Sequence, residues 1–100
     1  MTSQGTPYAR FKRALASGNL VQVRATAAEL PTVPLSDALE VCNLVRHESP
    51  DLYERAALRW LARLLLERPE VTLRELEQAA RALQRLPDVE AVRCLRGLAG

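Results

Sequence analysis

Six prolines punctuate the chain, and each falls at the edge of a periodic apolar segment, never inside one. Proline lacks a backbone donor and has a fixed φ, so helix interiors reject it while first turns and loops accept it. Between these breaks apolar residues recur every three or four positions, the period of a helix with one buried face. No segment alternates apolar and polar residues over a strand's length, and no Asn-Gly or Asp-Gly pair marks a hairpin. The expected fold is all-α: a compact bundle of about six short helices, readable as two three-helix units with solenoid-like packing.

Thr6-Pro7 opens the first helix, which carries Tyr8, Phe11, Ala14 and Leu15 and ends at Gly18. Asn19, with Gln22 three residues on, starts the second, and Pro31 stops it. A third runs from about Leu35 to Arg46, with Ser36 or Asp37 available to its free N–H groups. The fourth spans roughly Asp51 to Glu67. Thr72-x-x-Glu75 is a capping box for the fifth, and Pro87-Asp88 leads into a short sixth that Gly97 is expected to end. Residues 1–5 ("MTSQG") offer no apolar anchor and read as a flexible tail, which leaves one helical domain over 6–97. "AAELPTV" ending the second helix and "LQRLPDV" ending the fifth form a faint echo, attributable to the commonness of Leu-Pro at helix ends.

The fourth helix is the most informative. Its apolar residues sweep roughly 200° of circumference, from Ala56 and Trp60 round to Leu65 and Leu58, wider than the ~100° stripe of a surface helix. It is therefore expected to be the hub of the bundle, with Trp60 a core anchor whose indole N–H meets a helix-end carbonyl. The remaining strip holds Arg55, Arg59 and Arg63, with Leu66 beside them. Asp51 is placed to pair with Arg55, and Glu67 with Arg63, each at i,i+4. Arg59 has only like charges one turn away on either side. Its partner must come from another helix (Asp37, Glu40, Glu75 or Glu77), from solvent or from a ligand.

A net charge of +2 is small for a general nucleic-acid binder. The basic set is 13 Arg against the single Lys12, in keeping with the codon bias of a GC-rich genome. Cys42 and Cys94 sit in helical patterns without a CxxC spacing and are expected to be free thiols of a cytoplasmic protein. No apolar run approaches the ~18 residues of a membrane span.

Catalytic chemistry finds little footing. His47 is the only histidine, the glycines are isolated, and no nucleophile turn such as G-x-S-x-G occurs. The carboxylate pairs Glu75/Glu77 and Asp88/Glu90 lie in helix first turns, where two residues' spacing makes them diverge. An enzyme would require His47 and a carboxylate to meet in a deep pocket; none is expected, nor any metal or cofactor.

"RALASGNLVQVRATAAELPTVPLSDALEVC" and "YERAALRWLARLLLE" together resemble a group of short, uncharacterised helical proteins of high-GC actinobacteria. Their shared pattern is GNL…VR…AAELP…V.L.DAL followed by YERAA.RWL.R. The likeness covers Phe11 to Glu67 and is most specific over Tyr53–Ala57 and Arg59–Leu61. It implies a small cytoplasmic all-helical protein and brings no activity, cofactor or site residue.

The functional expectation is a non-catalytic interaction or regulatory module. It would contact another protein, or a second copy of itself as a homodimer, through Arg55, Arg59, Arg63 and Leu66. The alternative is a small nucleic-acid-binding regulator with the same arginines on phosphates. The low net charge and the acids Glu75 and Glu77 at the front of the fifth helix speak against it.

Overall fold

A computed structural model of the chain describes residues 6–100. The expected flexible tail, 1–5, lies outside them. The described residues form six α-helices and no strand: α1 (Pro7–Ser17), α2 (Leu20–Ala27), α3 (Leu35–Glu48), α4 (Tyr53–Glu67), α5 (Leu73–Leu83) and α6 (Val89–Ala99). A 3-10 turn, Pro50–Leu52, leads into α4.

Local signals set most of the boundaries. The Thr6 hydroxyl accepts from the Ala9 N–H, Pro7 takes the first turn, and Gly18 at φ 73° closes α1 by donating to the Ala14 and Leu15 carbonyls. Asn19 caps α2 through the Gln22 N–H. Thr72 and Glu75 form both halves of the expected capping box, at 3.1 and 3.0 Å. Asp88 caps α6. Gly97 does not stop that helix, which continues to Ala99: an isolated glycine weakens a helix by only about 1 kcal/mol, too little to end one already packed through Ala91 and Leu95.

The helices pack largely in chain order, each on the next, and α6 returns to α3. The stack measures 46 × 28 × 22 Å. Two apolar clusters hold it together. The larger joins α3 to α4, α5 and α6 around Leu39, Trp60, Leu64, Leu83 and Leu95. The smaller, centred on Phe11, Ala14 and Val23, seats the α1–α2 hairpin on the opposite face of α3 through Val41 and Leu44. Since α3 contributes to both, it is the hub, and the fourth helix is not.

α4 buries only Ala57, Trp60 and Leu64, with Tyr53, Ala56 and Leu61 half-buried. Leu58 is 57% exposed and Leu65 43%, so the wide apolar arc is covered on one side alone. Leu58→Gln is accordingly expected to change stability by about 0.5 kcal/mol or less in urea unfolding, as for an ordinary surface site. A loss of several kcal/mol would mean that this side of α4 is packed.

The core's polar groups are paired. The Trp60 indole N–H donates to the carbonyl of Leu35, the first residue of α3, at 2.9 Å, as expected of a core anchor. Tyr53 donates its hydroxyl to the Leu83 carbonyl at 2.6 Å, and the Cys42 thiol faces the Ala56 carbonyl. Burial pushes the Cys42 thiol up to about 11 and the Tyr53 hydroxyl up to about 12. Both groups then keep their protons longer folded than unfolded. Their stabilising contribution is complete below the ordinary values of 9.0 and 10.0 and is lost as pH rises through the folded ones. The urea midpoint should fall steadily between pH 9 and 12, and Cys42→Ala with Tyr53→Phe should flatten that fall.

Asp37 takes a different role from the one its position suggests. It does not cap α3. Its carboxylate is buried, 6% exposed, and accepts from the Tyr8 hydroxyl at 2.7 Å and the Lys12 ammonium at 2.8 Å, tying α1 to α3. The hydrogen bond to Asp37 is the main reason that both the Tyr8 and the Lys12 pKa are raised.

Candidate functional site

The fourth helix's arginine strip borders a groove of about 730 Å³ between α2 and α4. Its lining includes Ala38 and Val41 of α3, both partly buried, above the buried Cys42 and Val45, with Val33 and Leu52 at the margins. These α3 residues recur at i, i+3, i+4 and i+7, one helix face over two turns. Arg24 of α2 stands on one wall; Arg55, Arg59 and Arg63 of α4 stand on the other. The lining contains four guanidinium groups and no carboxylate.

The three predicted arginines are not equivalent. Arg63 is committed to the architecture: it donates to the Val33 carbonyl at 2.7 Å and pairs with Glu67 at 2.7 Å, as the i,i+4 spacing suggests. It thereby fastens the α2–α3 connection to α4. Arg55 makes no pair with Asp51, and neither Arg55 nor Arg59 has an ion pair or side-chain hydrogen bond among the described residues. Arg24 shares that condition.

All four acids that could have served Arg59 are engaged elsewhere. Asp37 holds Tyr8 and Lys12, and Glu40 lies 3.8 Å from Lys12 and 3.9 Å from Arg96. Glu75 closes the α5 capping box, and Glu77 pairs with Arg81. Guanidinium heads at an apolar groove with no internal counter-charge are available to an external one.

Leu66 shares the azimuth of Arg59 two turns further along, is 83% exposed, and lies outside the groove. The apolar contact surface is Ala38 and Val41 of α3 with Val33 and Leu52 instead. Nothing local pointed to Arg24, which reaches the site only because α2 packs across α3. Trp60 lies at the base of the groove, 2% exposed, so it is no stacking platform.

A second cleft of about 460 Å³, between α1, α3 and α6, brings His47, Glu40 and Arg96 to one lining. Glu40 is held there between two cations, and the His47 side chain is 75% exposed, 3.7 Å from Glu48. No metal-binding cluster occurs among the described residues, and no helix among them is long and apolar enough to cross a membrane. Comparison with protein-family models, curated proteins and solved structures finds no match for this chain.

Proposed function

We propose that the chain is a non-catalytic protein–protein interaction module, acting in the cytoplasm, that docks a partner in the groove between α2 and α4. One observation carries this reading: an apolar floor bordered by Arg24, Arg55 and Arg59, none with a partner within the described fold, and with no carboxylate in the lining. Apolar area at the centre supplies affinity, and charged groups at the rim supply orientation and association rate. A nucleic acid would engage the arginines and leave the apolar floor uncovered, so a protein uses more of the site.

The test is affinity capture from the native host with the wild type and with an Arg55→Glu, Arg59→Glu variant. Both positions are exposed and unpaired, so the variant is expected to fold with an unchanged urea midpoint. The wild type should enrich a protein that the variant recovers about tenfold less. Equal recovery by both would rule the groove out, and recovery of nucleic acid alone would favour phosphate binding.

A further inference from the structure

Resting on the docking reading above, we infer that the occupant of the groove is an amphipathic α-helix of an acidic partner, with carboxylates on both flanks of its apolar face.

The backbone lining the groove points to a helix. Between their ends, α2, α3 and α4 pair their own N–H and C=O groups, and no strand edge exists among the described residues. An extended segment could add to no sheet here and would lay unpaired backbone groups on Ala38 and Val41. A helix arrives with those groups already paired. Its apolar stripe would meet the partly exposed Ala38 and Val41 of α3 together with Val33 and Leu52. It would pack against α2, α3 and α4 by the ridge-and-groove rules that already join these helices.

The guanidinium placement sets the charge pattern. Arg55 and Arg59 are one turn apart, an axial step of about 6 Å, which matches carboxylates at i and i+4 on a helix running alongside α4. Arg24 stands on the opposite wall and calls for a further carboxylate on the other flank. Arg63, held by Glu67 and Val33, closes the groove without adding a free charge.

A second copy of this chain does not meet that pattern. α1, α2, α4 and α6 carry more basic than acidic residues, and α5 carries equal numbers. Only α3 is net acidic, and its Asp37 and Glu40 already face Lys12 and Arg96. Charge complementarity therefore favours a different protein.

The experiment uses the whole protein and a lactam-stapled helical peptide of about 16 residues, a length at which an unconstrained helix is marginal. Leucines occupy i, i+3, i+4 and i+7, with glutamates one turn apart on one flank and one glutamate on the other. Otherwise identical peptides carry glutamine or lysine at those positions, and an extended, proline-containing acidic peptide and a short DNA duplex serve as comparisons. The glutamate helix should bind at least tenfold more tightly than the glutamine helix and shift amide resonances of α2, α3 and α4. With Arg55→Glu and Arg59→Glu together the preference for the glutamate helix should be lost. Equal binding of the glutamate and glutamine helices, equal binding of the extended peptide, displacement by the duplex, or shifts outside the groove would overturn the inference. If the peptide fails while partner capture still depends on Arg55 and Arg59, the partner class is wrong and the docking reading stands. If neither depends on them, both fall.

Discussion

Trp60→Ala is expected to lower stability by about 3–5 kcal/mol, the cost of emptying a large aromatic site in a closed core. Trp60 is almost fully buried, and its indole N–H satisfies the Leu35 carbonyl at the start of α3. The truncation thus removes packing from the larger cluster and unpins the entry of the helix that both clusters share. Domains of this size commonly have 5–15 kcal/mol in total. At about 4–8 °C per kcal/mol, the melting temperature should fall by roughly 12–40 °C in a circular-dichroism melt. Trp60→Phe keeps most of the ring and loses the hydrogen bond, so a smaller loss of about 1–2 kcal/mol is expected. Equal effects of the two substitutions would mean that packing around the indole contributes little.

The second large effect concerns the buried carboxylate that ties α1 to α3. Lys12→Met should cost about 3 kcal/mol, the low end for a buried charge losing its partner, since water reaches Asp37 once the half-exposed lysine is gone. Adding Asp37→Leu and Tyr8→Phe to Lys12→Met removes the charge together with its donors and should recover most of that loss. The damage should be local. The α1–α2 hairpin rests on the smaller cluster alone, so hydrogen exchange in α1 and α2 should accelerate well before exchange in α5. Uniform acceleration across all six helices would contradict the division into two clusters.

The helices and most of their ends were legible because their signals are local. Thr6-Pro7, Gly18, Asn19, Thr72-x-x-Glu75 and Asp88 act within one turn, and each does what its position implies. The hub was not legible, because periodicity reports which faces are apolar and not which are covered. Leu58 and Leu65 carry the same signal as Trp60 and Leu64 and differ only in having no helix opposite them. Asp37 shows the same limit for charge. Its place in a helix first turn suggests a cap, while a contact 29 residues away in sequence makes it the anchor of α1.

The candidate site was legible along α4 and invisible across it. The four-residue spacing of Arg55, Arg59 and Arg63 marked a strip, and the like charges around Arg59 singled it out. Which arginine would be locked required Val33, and which stripe would form the floor required the packing of α2 beside α4. Arg24 therefore appears only in three dimensions.

The most direct test compares Arg59→Glu with Arg74→Glu in binding to the captured partner, by titration at fixed ionic strength. Both arginines are exposed and neither is paired, but only Arg59 lines the groove. The two variants change net charge by the same amount, so any general attraction to an acidic partner weakens equally in both. Affinity should fall at least tenfold for Arg59→Glu and stay within about twofold of wild type for Arg74→Glu. Equal losses for the two would show that charge alone, and not the groove between α2 and α4, determines what this protein binds.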